Sequence, residues 1–259
     1  MISCELMGGL GNQMFQIATV YSLSLDNNTN CYFDLYNGNF TQKPAFVYKN
    51  NVLIKLKQFD IRKFKPEYIY NEPFFNYSNI PYHKNMLLKG YFQSENYFEK
   101  NKDKIYDLFN HNGIISSLKQ KYGDILSNSV SIHVRRGDYL KLQQYHPCPD
   151  INYYNNAYNF INSKTLINNV IVFSDDINWC KENIKFNNCT YIDNQNDYED
   201  LYLMSLCDNN IIANSSFSWW GSWLNRKSNK IVIAPKKWFG DSINIKNWDD
   251  IYTKNMIVM

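Results

Sequence analysis

From Val130 to Ala234 the chain repeats one unit: a short apolar run, a turn, then a segment with helical spacing. Val130-Ser131-Ile132-His133-Val134 alternates apolar and polar residues, the pattern of a strand with one buried face. Val170-Ile171-Val172-Phe173 is apolar without interruption, as expected of a parallel strand covered on both sides. Shorter strands are predicted at Thr190–Ile192, Ile211–Ala213 and Ile231–Ala234. Helical spacing lies between them, at Tyr153–Ile161 behind Asp150-Ile151-Asn152, at Ile177–Asn183, and at Tyr198–Leu206 with Asp197 near its N-cap. Strands that alternate with helices need crossover connections, so the fold class is α/β with a parallel sheet.

The first half carries the same signal more weakly. Ile2–Leu6 reads as a strand. Met7-Gly8-Gly9-Leu10-Gly11-Asn12-Gln13 follows as a glycine-rich loop, and Met14, Ile17, Ala18, Tyr21 and Leu25 recur at helical spacing. Cys31–Leu35 reads as a second strand, Met86–Gly90 as another, and helices are predicted from Tyr97 onward and over Ile114–Tyr122. Tyr36–His83 is rich in Asn, Pro and aromatic residues and is expected to be irregular. Gly123-Asp124 and Ser127-Asn128-Ser129 look like a linker. Two domains are therefore expected, 1–125 and 126–259, a division that 259 residues can support.

Bulk properties exclude several classes. A net charge of +3 is too small for a nucleic-acid surface. No apolar run approaches a membrane span, and the N-terminus lacks a signal peptide, so a soluble cytoplasmic protein is expected. Cys4, Cys31, Cys148, Cys180, Cys189 and Cys207 are scattered without a CxxC pair, which argues against zinc and for free, mostly buried thiols. The sequons Asn39-Phe40-Thr41 and Asn214-Ser215-Ser216 carry little weight in an Asn-rich chain.

Three predicted strand ends hold residues suited to an anionic ligand. Arg135 and Arg136 follow the Val130–Val134 strand, and guanidinium groups give planar, permanent-charge hydrogen bonding to phosphate. Asn214-Ser215-Ser216 joins Ile211–Ala213 to a helix, and either Asn214 or Ser215 can cap it. Backbone N–H groups at such a helix start bind anions. Asp175 and Asp176 follow the third strand; paired carboxylates can meet a metal, a donor-rich base edge, or simply the next helix as caps. Each feature also has a plain structural explanation: solvated arginines, a helix cap, or a tight βα turn at the glycines. Trp219 and Trp223 share a helical face and are expected in the core rather than in a sugar-stacking site.

Taken together, Gly8-Gly9-Leu10-Gly11-Asn12-Gln13-Met14-Phe15-Gln16, His133-Val134-Arg135-Arg136-Gly137-Asp138-Tyr139, Phe173-Ser174-Asp175-Asp176 and Asn214-Ser215-Ser216-Phe217-Ser218-Trp219-Trp220-Gly221 resemble glycosyltransferase family 11, the α-1,2-fucosyltransferases. The resemblance spans nearly the whole chain. It implies a GT-B-type fold of two Rossmann-like domains facing a cleft, with residues 1–125 on the acceptor side and 126–259 binding the donor. It implies GDP-β-L-fucose as donor, the 2-hydroxyl of a galactose-terminated glycan as acceptor, inversion at the anomeric carbon, and no metal or cofactor. It places Arg135 on the β-phosphate with Arg136 nearby, and His133 with Asp175 or Asp176 on guanine. Asn214, Ser215 and Ser216 would bind phosphate, and Asn12, with Gly11, would reach the fucose or pyrophosphate. Asp138 is the candidate base, or else caps its own turn. Animal members carry a membrane anchor, so a soluble bacterial or viral form is expected. Another GDP-sugar, another linkage, or a non-catalytic binding protein on this fold stay open.

Overall fold

The computed structural model describes residues 1–36, 42–59 and 64–259. The sequon at Asn39-Phe40-Thr41 lies outside them. The chain forms two compact units, Met1–His111 with Ile245–Thr253, and Asn112–Asn244 with Lys254–Met259.

The second unit holds a six-stranded, all-parallel sheet. In the whole chain's numbering its strands are β4 (Ser129–Val134), β5 (Asn169–Ser174), β6 (Cys189–Tyr191), β7 (Asn209–Ile211), β8 (Val232–Ala234) and β9 (Met256–Val258). They lie in the order β6-β5-β4-β7-β8-β9. Counted from β4 as the first, this is the 3-2-1-4-5-6 order of dinucleotide-binding domains. The direction of winding reverses between β4 and β7, so their carboxyl ends flank the crevice where such sheets bind ligands.

Helices cover the sheet for the reasons their spacing gives. α4 (Ile151–Asn162) and α5 (Ile177–Asn183) bury Tyr154, Ala157, Ile161 and Cys180 against Val130, Ile132, Val134, Val170 and Val172. Asp150 and Asp176 cap these helices, accepting the N–H of Tyr153 at 2.9 Å and of Trp179 at 3.2 Å. α6 (Asp197–Leu206) and α7 (Ser216–Trp223) pack on each other, with Trp219 and Trp220 fully buried and Trp223 nearly so. These tryptophans are core, as their spacing predicts. A buried polar cluster inside this unit is paired: Asn210 donates to Ser131 Oγ at 2.7 Å and accepts from Asn225 at 2.9 Å.

The first unit holds a three-stranded parallel sheet in the order β1-β3-β2, from β1 (Ile2–Cys4), β2 (Tyr68–Asn71) and β3 (Met86–Lys89). α1 (Leu10–Asp26) follows the glycine loop, and α2 (Lys102–Phe109) lies near the end of the unit.

The structure departs from the sequence reading at several places. Cys31–Leu35 is not a strand but only isolated bridge residues, Cys31 parallel to Ile2 among them, before the chain turns at Leu35. β2 and β9 were not anticipated, because each is short and partly exposed and so lacks a buried apolar run. The expected linker at Gly123-Asp124 is inside α3 (Asn112–Leu126). A side chain at Gly123 would meet nothing within 4 Å, so the glycine marks a solvent-facing helical position and no break. α3 packs on α6, and Tyr122 donates to Gln195 Oε1 at 2.6 Å. The unit boundary therefore falls at His111, and Ile245–Thr253 returns to the first unit, where Asp250 accepts the Tyr77 N–H at 2.8 Å. All six cysteines are free thiols, four of them buried.

Candidate active site

β4 carries His133 near its end and releases Arg135, Arg136, Gly137 and Asp138 into the loop beyond it. His133 and Ser131 share one face of the strand, opposite Ile132 and Val134. His133 is 6% exposed, its ring lies 5.6 Å from Phe217 at the start of α7, and its Nδ1 is buried without a hydrogen-bond partner among the described residues. Burial, and secondarily the charge of Arg135, lowers its pKa from 6.5 to about 3, so it is a neutral imidazole.

The arginine loop is fixed by the two acids after β5. Asp175 Oδ2 pairs with Arg135 at 2.9 Å, and Asp175 Oδ1 accepts the Arg136 N–H at 2.9 Å. Asp138 takes a second nitrogen of Arg135. Arg136 is held differently: its Nε donates to Asp176 at 3.0 Å and its guanidinium stacks 4.0 Å from the Trp179 ring centre. Gly137 is required by this arrangement, because a Cβ there would lie 2.5 Å from Asp175 Oδ2. Asp176 thus caps α5 and anchors Arg136 at once, while Asp175 serves the loop. Asp138 opens a 3₁₀ turn, Asp138–Lys141, whose N-cap position is Gly137. Its carboxylate goes to Arg135.

The loop after β7 meets the arginine loop through Tyr139. The Tyr139 hydroxyl donates to the Asn214 main-chain oxygen at 3.2 Å, and the ring lies 5.3 Å from the Arg135 guanidinium carbon and stacks on His146. Burial pushes the Tyr139 phenol up to about 12, so it stays a donor. Asn214 is an anchor rather than a cap: its side-chain amide donates to Pro147 O at 2.9 Å and Trp238 O at 3.0 Å. Ser215 stands at the N-cap position of α7, but its hydroxyl makes no cap bond. The expected hydroxyl cap is therefore absent; the Ser215 N–H donates to Ala213 O at 2.8 Å, and Ser216 begins the helix. Arg135, Arg136, His133, Asp138, Asp175, Asp176, Asn214, Ser215 and Ser216 all gather at the carboxyl ends of β4, β5 and β7.

Gly11 and Asn12 belong to the first unit. They lie in the first turn of α1, which starts at Leu10, earlier than its apolar spacing indicates. Gly8 adopts a positive φ of 72° that suits glycine. Gln13 donates to Gly8 O at 2.9 Å and Lys43 O at 2.7 Å, and Gln16 Oε1 accepts the Met7 N–H at 2.9 Å. Two glutamines on an otherwise apolar helix face were the overlooked signal that this loop is rigid. Asn12 Oδ1 accepts from Gln93, just after β3, at 2.7 Å. Glu72, just after β2, accepts the N–H groups of Tyr91 at 2.7 Å and Phe92 at 3.0 Å. Burial outweighs those two bonds and raises the Glu72 carboxyl from 4.5 to about 7. Tyr139 closes the arginine motif but was given no role there, and Gln93 and Glu72 were not singled out by sequence; nothing in their spacing distinguishes them.

A sequence model of glycosyl transferase family 11 matches residues 1–259. The chain belongs to this family. Its relatives include an O-antigen biosynthesis glycosyltransferase of Escherichia coli, WbnK, 32% identical over 92% of this chain and 95% of that protein. An α-1,2-colitosyltransferase of Escherichia coli is 31% identical over 92% of each chain. The fold of this family 11 chain is also that of the α-1,6-fucosyltransferase NodZ, solved after soaking with GDP-fucose. The TM-score is 0.56 at 14% identity, over 86% of this chain and 91% of that one. Among the described residues no helix is long and apolar enough to cross a membrane.

Proposed function

We propose that this family 11 protein is an inverting transferase that moves L-fucose from GDP-β-L-fucose to the 2-hydroxyl of a terminal galactoside. The observation that carries this reading is the placement of Arg135 at the carboxyl end of β4, beside the point where the sheet's winding reverses. The second unit is the donor side and the first the acceptor side. Rupture of the fucosyl–phosphate bond leaves negative charge on GDP. Arg135 and the N-terminus of α7, with Ser215 and Ser216, are the donors for that charge in this reading. Arg136 keeps the loop in place through Asp176 and Trp179. Neutral His133 presents a buried nitrogen to guanine, and Asp175 or Asp176 is the carboxylate partner for the base's N–H groups. Asn12, with Gly11, holds the fucose or pyrophosphate. No step needs a divalent ion, so chelation with EDTA is expected to leave transfer intact; loss restored by Mn²⁺ or Mg²⁺ would overturn that part.

A second donor deserves a place in the test. The colitosyltransferase relative favours a reading in which the same site transfers colitose. Release of GDP from GDP-fucose and from GDP-linked colitose, with and without lactose, separates the two sugars and separates transfer from mere binding. NMR of the product reads the linkage. An inert protein that still binds GDP-fucose would make it a binding protein on this fold.

A further inference from the structure

In the loop after β4, one aromatic ring is bordered by two basic side chains. The Tyr139 ring centre lies 5.3 Å from the Arg135 guanidinium carbon, and the His146 imidazole stacks on the same ring, with centres 4.9 Å apart and planes at 21°. Phe239 borders the imidazole from another segment, at 5.9 Å between ring centres. The main chain fixes the imidazole in this place. His146 donates its N–H to Leu142 O at 2.8 Å, while Tyr145 O accepts from Gly240 at 2.8 Å and Gln144 O from Ser242 at 3.0 Å. A Cβ at Gly240 would collide with Gln144 O, so the two segments meet closely. His146 is thus held by its ring faces and its backbone. Its two ring nitrogens have no hydrogen-bond partner among the described residues.

We propose that His146 is a further sugar-nucleotide-binding residue, which takes up a proton from solvent as the diphosphate binds and donates a charged N–H to one of its oxygens. The assignment rests on the donor reading above, and every group in it belongs to the second unit. The influences on the free imidazole are opposed. Burial is the largest and lowers its pKa from 6.5; Asp138 opposes the fall and Arg135 adds to it. Tyr139 and Cys148 keep their protons at neutral pH, because burial raises both. Lys141 stands in the 3₁₀ turn that Asp138 opens, and the segment of Phe239 adds Lys236 and the exposed Lys237–Asp241 pair, which is largely screened by solvent. A diphosphate esterified at both ends brings negative charge and has no proton of its own to exchange near neutrality. Beside the imidazole it favours the charged form, and a bond from imidazolium to phosphate is stronger than one from the neutral ring. The proton returns to solvent when the product leaves.

The test is calorimetric titration of the whole protein with GDP-fucose, in buffers of different ionisation enthalpy. The parent is expected to take up a fraction of a proton on binding at neutral pH. The imidazole's pKa is higher in the complex than in the free protein, so affinity is greatest in acid and falls as pH climbs. A drop of about threefold or more is expected between about pH 6 and about pH 8. His146→Phe keeps a ring against Tyr139 and removes both nitrogens. It should melt close to the parent, bind more weakly at about pH 6, and lose both the pH dependence and the proton uptake. A Phe variant that keeps parental affinity and proton uptake would show that the ring serves packing alone and overturns the assignment. If that variant fails to fold, His146→Gln makes the same comparison. A parent that binds without proton uptake overturns the assignment with no variant needed. A parent that binds neither GDP-fucose nor GDP-linked colitose removes the sugar-nucleotide reading itself, a result distinct from any of these.

Discussion

The Tyr139 hydroxyl donates to the main-chain oxygen of Asn214 at 3.2 Å, so the loop after β4 is tied to the loop after β7. These loops leave the strands on either side of the winding reversal. One phenol thus sets the spacing between Arg135 and the start of α7, the two groups proposed to hold the diphosphate.

Tyr139→Phe keeps the ring under Arg135 and removes only that bond. A neutral hydrogen bond contributes about 1 kcal/mol, so GDP affinity should fall roughly fivefold with a small drop in melting temperature. Calorimetric titration of GDP checks this. Affinity equal to the parent's would mean the two loops are positioned independently.

Arg135 and Arg136 should separate into functional and structural roles. Arg136 is the less exposed, at 18% against 27%, and is fixed by Asp176 and Trp179. Arg135→Ala is expected to lower kcat/KM by about 10²-fold while the protein stays folded, the effect of losing one donor to the leaving group. Lys in its place should rescue only part, having lost the planar fork. Arg136→Ala should lower the melting temperature more than Arg135→Ala does. Kinetics and melts on each variant decide the matter; the reverse ranking would exchange the two roles.

Gly137→Ala places a methyl on the Asp175 carboxylate, so the arginine loop must move. The expected result is a loss of roughly 1–3 kcal/mol of stability, in line with overpacking, together with weaker GDP binding. A variant with parental stability and affinity would show that the loop is not held by Asp175.

Stability should depend on Asp200 in α6. Burial raises its carboxyl from 3.8 to about 7, with Asp197 and Glu199 adding to the rise and Gln195 opposing it. The folded state therefore holds the proton more tightly than the unfolded chain. Its contribution is full below about 3.8 and is lost as pH climbs through about 7. Asp200→Asn keeps an acceptor for Gln195 and should stabilise the protein by roughly 1–3 kcal/mol above neutral pH and little in acid. His133 acts in the opposite sense: its folded value near 3 lies below 6.5, so its contribution fades as pH falls. Melting curves across pH for parent and Asp200→Asn test the sign; equal gains at all pH values would rule out proton linkage.

The sequence by itself determined the parallel α/β class, the strands β4 and β5, the helices α4 to α7, and the residues gathered at the strand ends. Those features are local: an apolar run, a helical period or an arginine pair is visible within a few residues, and burial of an apolar face leaves one choice of secondary structure. It did not determine β2 and β9, whose short, partly exposed strands exist only because β3 and β8 present unpaired edges beside them. The helix over Ile114–Tyr122 was legible, but its place was not: α3 runs on through Gly123 and joins the second unit by packing on α6. At the site, Arg135 and Asp175 were legible as chemistry. Their pairing across 40 residues, the need for glycine at 137, and the Tyr139–Asn214 bond were decided by sheet order. Sheet order is a non-local property: β4 takes β5 on one side and β7 on the other, and no spacing within the chain records which strand comes to lie beside it.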